Sequence, residues 1–146
     1  LFTRMRSSIQ WRVQHHASGL YLYTAFPIAV AFLITFTSAR VLNRLIPDLY
    51  IPWPVGAHVH HFMYGFFVLA LSGYLALIFS GPRAKYYIAL LHGFGLGLAF
   101  DEYGIWLNLS ADDPARWSYD GFLIIGAIIM LIISARPGIR FIKSLF

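Results

Sequence analysis

No cysteine occurs anywhere in the 146 residues, which excludes disulfides, thiolate metal centres and cysteine nucleophiles. Charge is scarce as well. Charged residues make up 12% of the chain, against about 25% in soluble domains. Acidic groups are the scarcest of all, with 6 Asp or Glu against 11 Lys or Arg. The formal charge of +5 does not point to nucleic acid, because the basic residues flank apolar runs and form no stripe with interleaved polar groups. Internal repeats and low-complexity segments are also missing, so no solenoid or disordered tail is expected. A cleaved signal peptide is not expected either. The basic stretch Arg4–Arg12 leads into a full-length apolar run without a small-residue cleavage site.

Apolar side chains fill the space that charge leaves. Hydrophobic residues are 59% of the chain and aromatics 18%, and the mean hydropathy is +0.67. A soluble fold of this size has too little interior for so much apolar surface. The lipid bilayer is the solvent that suits this composition. About 20 helical residues cross a hydrocarbon core of about 30 Å. Four stretches are that long: 20–39, 57–80, 86–109 and 119–135. The first contains Pro27, which can kink it. Before them, residues 2–18 mix Arg4, Arg6 and Arg12 with Phe2, Met5, Ile9, Trp11 and Val13, the pattern of a helix lying in the membrane interface. The expected fold is therefore all-α: a single domain forming a four-transmembrane-helix bundle with an N-terminal interfacial amphipathic helix.

Lys and Arg set the expected orientation. Arg4, Arg6, Arg12, Arg83, Lys85, Arg136, Arg140 and Lys143 fall on one side, and only Arg40, Arg44 and Arg116 on the other. The side rich in Lys and Arg faces the cytoplasm, so both termini are expected there, in a bacterial inner (plasma) membrane. Trp53, Trp106 and Trp117 would then lie in the outer aromatic belt. Gly93 and Gly97 form a small-xxx-small pair that permits close helix approach, inside the bundle or between protomers of a homo-oligomer.

Alternating span direction brings distant residues to one depth. The second span starts on the outer side, the third ends there and the fourth starts there. His58, His60 and His61 therefore share a layer with Asp101, Glu102 and Asp120. His58 and His61, three apart, project from one helix face. His60 points elsewhere, and Asp101 and Glu102 diverge by about 100° on a helix of 3.6 residues per turn. Imidazole with carboxylate is a ligand set for zinc, with iron or manganese as alternatives, and bundle cores are common places to build such centres. The divalent ion would bind His58, His61 and Asp101 or Asp120, with His60 and Glu102 in reach. Glu102 would serve as catalytic general base on a metal-bound water. The bland reading of the same residues is a polar cluster, with Asp120 favouring its helix dipole and Asp101 or Glu102 paired to Arg40 or Arg44.

Other polar residues carry weaker signals. His92 lies nine residues before Asp101, about 13 Å lower at 1.5 Å per residue, so it cannot share the outer layer. An interhelical hydrogen bond is its expected role, with a haem held between it and His15 or His16 as the alternative. Tyr64, one turn beyond His61, is read as a packing residue that could also orient a ligand. Asp112, Asp113 and Pro114 read as a helix start in the outer loop.

The segment His58-Val-His60-His61-Phe-Met-Tyr-Gly65, followed by Gly-Leu-Gly-Leu-Ala-Phe-Asp101-Glu102-Tyr, resembles small bacterial integral membrane proteins of uncharacterised function. The likeness covers the second and third spans and implies that the two motifs belong together; it implies no activity. The eight-His clusters of membrane desaturases are missing, as is the His-Glu-x-x-His of membrane metalloproteases. The expected function is that of a metal-binding membrane protein, with metal-dependent hydrolysis of a lipid or other membrane-embedded substrate as its chemistry. Transport of metal ions or protons, haem-based electron transfer and a scaffold role are the alternatives.

Overall fold

The computed structural model describes residues 17–46, 61–104 and 119–146. They form four helices, with no strand among the described residues: α1 (Ala17–Leu45), α2 (His61–Ile78), α3 (Pro82–Asp101) and α4 (Asp120–Lys143). The expected all-α class is observed. Two of the helices, over Tyr23–Leu45 and Asp120–Lys143, are long and apolar enough to cross a membrane. α2 is apolar but shorter, over Phe62–Ile78. In α3 the apolar content is diluted by Arg83, Lys85, His92 and Asp101. The interfacial helix expected over 2–18 lies outside the described residues, apart from residues 17 and 18, which open α1.

Local chemistry accounts for the helix ends. Gly81 is extended and Pro82 follows in the first turn of α3, where a missing N–H leaves no hydrogen bond unmade. α3 closes when the backbone N–H of Glu102 donates to the Phe100 carbonyl. α4 starts on Asp120 and ends with Arg140 and Lys143 in its last turn, charges that suit the two ends of its dipole. Pro27 and Pro137 sit inside α1 and α4 without ending them.

The helices pack in the order α2, α3, α1, α4. α3 is central because it is narrow on two opposite sides. Gly93 lies against Ile28 and Ala31 of α1, and Gly97 against Thr35 and Phe36. Gly95 instead faces Val68 and Leu69 of α2, and Gly65 of α2 sits on the backbone of Gly95 and Ala99. A side chain at Gly65, Gly93 or Gly97 would collide with backbone or with Thr35. These contacts make α1 and α3 parallel and α2 antiparallel to both. α4 returns along α1, with Gly138 against Phe26 at one end and Asp120 beside Arg40 at the other.

The apolar core lies between α1, α3 and α4. Phe32, Phe36 and Ala127 are buried at its centre, surrounded by Leu33, Leu96, Phe100, Leu123 and Ile124. The Phe32 and Phe36 rings stack at 5.4 Å, and Phe100 meets Phe32 edge-on at 6.4 Å. This core forms the floor beneath one end of the bundle, where α1 and α3 finish and α2 and α4 begin. We refer to that end as the acidic end.

Candidate functional site

The acidic end is built around Arg40. α1 runs past the residue 39 expected as its end, to Leu45, and so carries Arg40 inside the bundle rather than beside it. The guanidinium lies over the Phe36 ring, 5.2 Å from its centroid, a favourable stacking for a cation. Arg40 Nη2 donates to Asp120 Oδ1 at 2.5 Å, and Nε lies 3.4 Å from Asp101 Oδ1. Asn43, one turn on, donates through Nδ2 to Asp101 Oδ2 at 3.1 Å. One arginine thus ties α1 to α3 and α4 together.

Helix dipoles explain why a cation is needed there. Asp101 and Glu102 sit at the C-terminus of α3, whose partial negative charge disfavours carboxylates. Both are buried nonetheless, Asp101 at 0% exposure and Glu102 at 4%. Arg40 offsets that field for Asp101. Asp120 needs less help, because it opens α4 and its side chain keeps 18% exposure. Tyr103 continues the layer sideways, in ring contact with Phe100 at 5.3 Å and with Tyr119 at 5.5 Å.

The register of α2 against α3 brings the backbone of His61 to this level. Ser72 pairs with His92, Leu69 with Gly95, and Gly65 with Ala99. Continuing that antiparallel register by one turn sets the backbone of His61 level with Glu102 and Tyr103. His61 is the first residue of α2, and its side chain lies outside what the structure describes. His58 and His60 lie outside the described residues, as do His15, His16, Trp53, Trp106, Asp112, Asp113, Arg116 and Trp117. Tyr64, in the first turn of α2, has its hydroxyl buried with no hydrogen-bond partner among the described residues. Among the described residues no three His, Asp or Glu side chains come together as a metal centre.

His92 sits two to three turns below the acidic layer. Ser72 Oγ donates to the Leu69 carbonyl at 2.9 Å and lies 2.9 Å from His92 Nδ1. The direction of the Ser72–His92 bond follows the imidazole tautomer. The bond links α2 to α3, which is the interhelical role expected of His92.

Asp101, Glu102 and Asp120 lie in the expected layer, and Arg40 joins Asp101 to Asp120. In the sequence Arg40 reads only as a counter-ion at a helix end, and Asn43 carries no expected role. A signal was present in the run Arg40-Val-Leu-Asn-Arg-Leu45, which holds no helix breaker before Pro47. A helix continued through that run leaves Arg40 more than a turn from its end, too deep to snorkel past it. Gly93 and Gly97 face α1 of the same chain. No protein-family model matches this chain, and neither a curated protein nor a solved structure matches it.

Proposed function

We propose that the chain is a four-span membrane protein with both termini in the cytoplasm, and that it binds a divalent cation at the acidic end. The spanning part rests on the two long apolar helices and on the apolar surface that the fold leaves outside. Leu77, Phe67, Phe122, Ile132 and Ile34 are each more than 60% exposed. A water-soluble monomer rarely carries apolar surface on this scale. Lipid around α2 and α3 as well would let all four helices use their outer faces.

The observation that carries cation binding is an imbalance of charge. Asp101, Glu102 and Asp120 share a layer in which Arg40 is the one buried cation among the described residues. As ionised groups the acids outnumber it, in surroundings where net charge is costly. A divalent ion would neutralise the layer. We assign the protein ligands to His58 and His61 with Asp101 or Asp120, and place His60 and Glu102 within reach of the ion. Zinc suits imidazole and carboxylate best, with iron and manganese as alternatives. An open coordination position would give metal-assisted hydrolysis of a lipid or membrane-embedded substrate, and Tyr64 would stand beside it as a proton donor. A closed tetrahedron would be structural.

A second reading follows from the same arginine. Arg40 pairs with two helices at once, so the cluster would serve as a fastening between α1, α3 and α4, with no metal. Elemental analysis of purified protein separates the two readings. We expect about one equivalent of metal in the wild type, lost on His61→Ala while the variant stays folded. Absence of stoichiometric metal from the wild type would leave the fastening alone.

A further inference from the structure

We propose that the exposed stripe of α4 seats an anionic phospholipid. One acyl chain lies along Ile125, Ile129 and Ile132, and the headgroup phosphate lies at Arg136, Arg140 and Lys143. The proposal rests on the membrane-spanning reading and is independent of the metal. At 3.6 residues per turn these six positions fall within a sector of about 80°, so they form one continuous strip. Its apolar part is open, with Ile125 at 60%, Ile129 at 52% and Ile132 at 69% exposure. Arg136, Arg140 and Lys143 are exposed too. From Arg136, beside the headgroup, to Ile125 the strip measures about 16.5 Å at 1.5 Å per residue. That is close to half of a hydrocarbon core of about 30 Å, the depth of one leaflet.

The headgroup end gathers further positive charge from α3. Arg83 donates through Nε and Nη2 to the Leu145 carbonyl, at 3.2 and 2.9 Å, which holds it at the end of α4. Lys85 follows two residues later. The described acidic residues, Asp101, Glu102 and Asp120, all lie at the opposite end. From Arg83 to Asp101 is about 27 Å along α3, well beyond the screening length of about 8 Å in physiological salt. A phosphate at the basic end therefore meets a positive field with no described carboxylate to oppose it. Free phosphate would use only the basic part, whereas a phospholipid uses the whole strip.

The test uses the full chain reconstituted in vesicles of equal phosphatidylglycerol and phosphatidylcholine, extracted in mild detergent, with retained lipid counted by mass spectrometry. We expect phosphatidylglycerol to be enriched on the order of fivefold or more. The enrichment should vanish in the R136Q/R140Q/K143Q variant and should fall in wild type as salt is raised. Excess inorganic phosphate should not displace the lipid. Equal retention of both lipids, enrichment that survives in a folded triple variant, or enrichment indifferent to salt would each overturn the proposal. Full displacement by inorganic phosphate would do so as well, by reducing the strip to an anion site. A chain that stays in aqueous solution without detergent would instead overturn the membrane reading itself.

Discussion

Arg40 belongs to α1, yet its two carboxylate partners come from α3 and α4. Removing it would take the guanidinium away from Asp101, which is at 0% exposure beside the negative end of the α3 dipole. Breaking a buried pair from one side costs about 3–5 kcal/mol, because the remaining charge stays buried. We therefore expect Arg40→Ala to lower unfolding stability by that amount in detergent micelles. Arg40→Lys should recover only part of it, since a single ammonium cannot fork between two carboxylates. Asn43→Ala should cost about 1 kcal/mol, the usual worth of one hydrogen bond. An Arg40→Ala protein that unfolds like the wild type would remove the fastening role. Part of this was legible beforehand: charge type and span direction place Asp101 and Asp120 on one level. Which cation reaches them depends on where α1 ends, a boundary that apolar periodicity defines poorly.

Among the helices, α3 is the least apolar and the most enclosed. Glycine in a helix costs about 1 kcal/mol relative to alanine, and α3 accepts three in five residues, Gly93, Gly95 and Gly97. The return is close approach on two sides, Gly93 and Gly97 to α1 and Gly95 to α2, where contact between backbones replaces what side chains would supply. Gly97→Val should push Thr35 and α1 away and destabilise by about 1–3 kcal/mol. Gly126 of α4 is the contrast, because a methyl group there meets nothing within 4 Å. Gly126→Ala should be neutral or stabilise by up to about 1 kcal/mol, through the entropy of the unfolded chain. Parallel melting curves of the two variants check both expectations, and equal effects would contradict the packing described. The small-xxx-small spacing announces close approach in either setting; the neighbour that fills it is a tertiary fact.

Taken as a whole, the molecule is polarised. Described acids gather at one end, and Arg83, Lys85, Arg136, Arg140 and Lys143 at the other. Residues keep their sides if all four helices cross the bilayer. Because the native chain has no cysteine, single introduced cysteines report topology without background. Leu45, Ser80 and Ser144 are exposed at helix ends and make suitable positions. We expect Ser80→Cys and Ser144→Cys to react with a membrane-impermeant maleimide from one side, and Leu45→Cys from the other. Labelling of Leu45 and Ser80 from the same side would contradict a crossing by α2.

Sequence alone determined the all-helical class, two helices long and apolar enough to cross a membrane, and the layer shared by Asp101, Glu102 and Asp120. Those follow from composition, from run length and from the up-and-down order of the helices, all of which are local or additive. Tertiary structure decided the neighbours: Arg40 between Asp101 and Asp120, His92 on Ser72, and Gly93 and Gly97 on α1. Pairing depends on how each helix is rotated about its axis and on the order α2, α3, α1, α4. Both are set by the fit of small residues against backbone, a relation between distant segments that no single stretch of sequence contains.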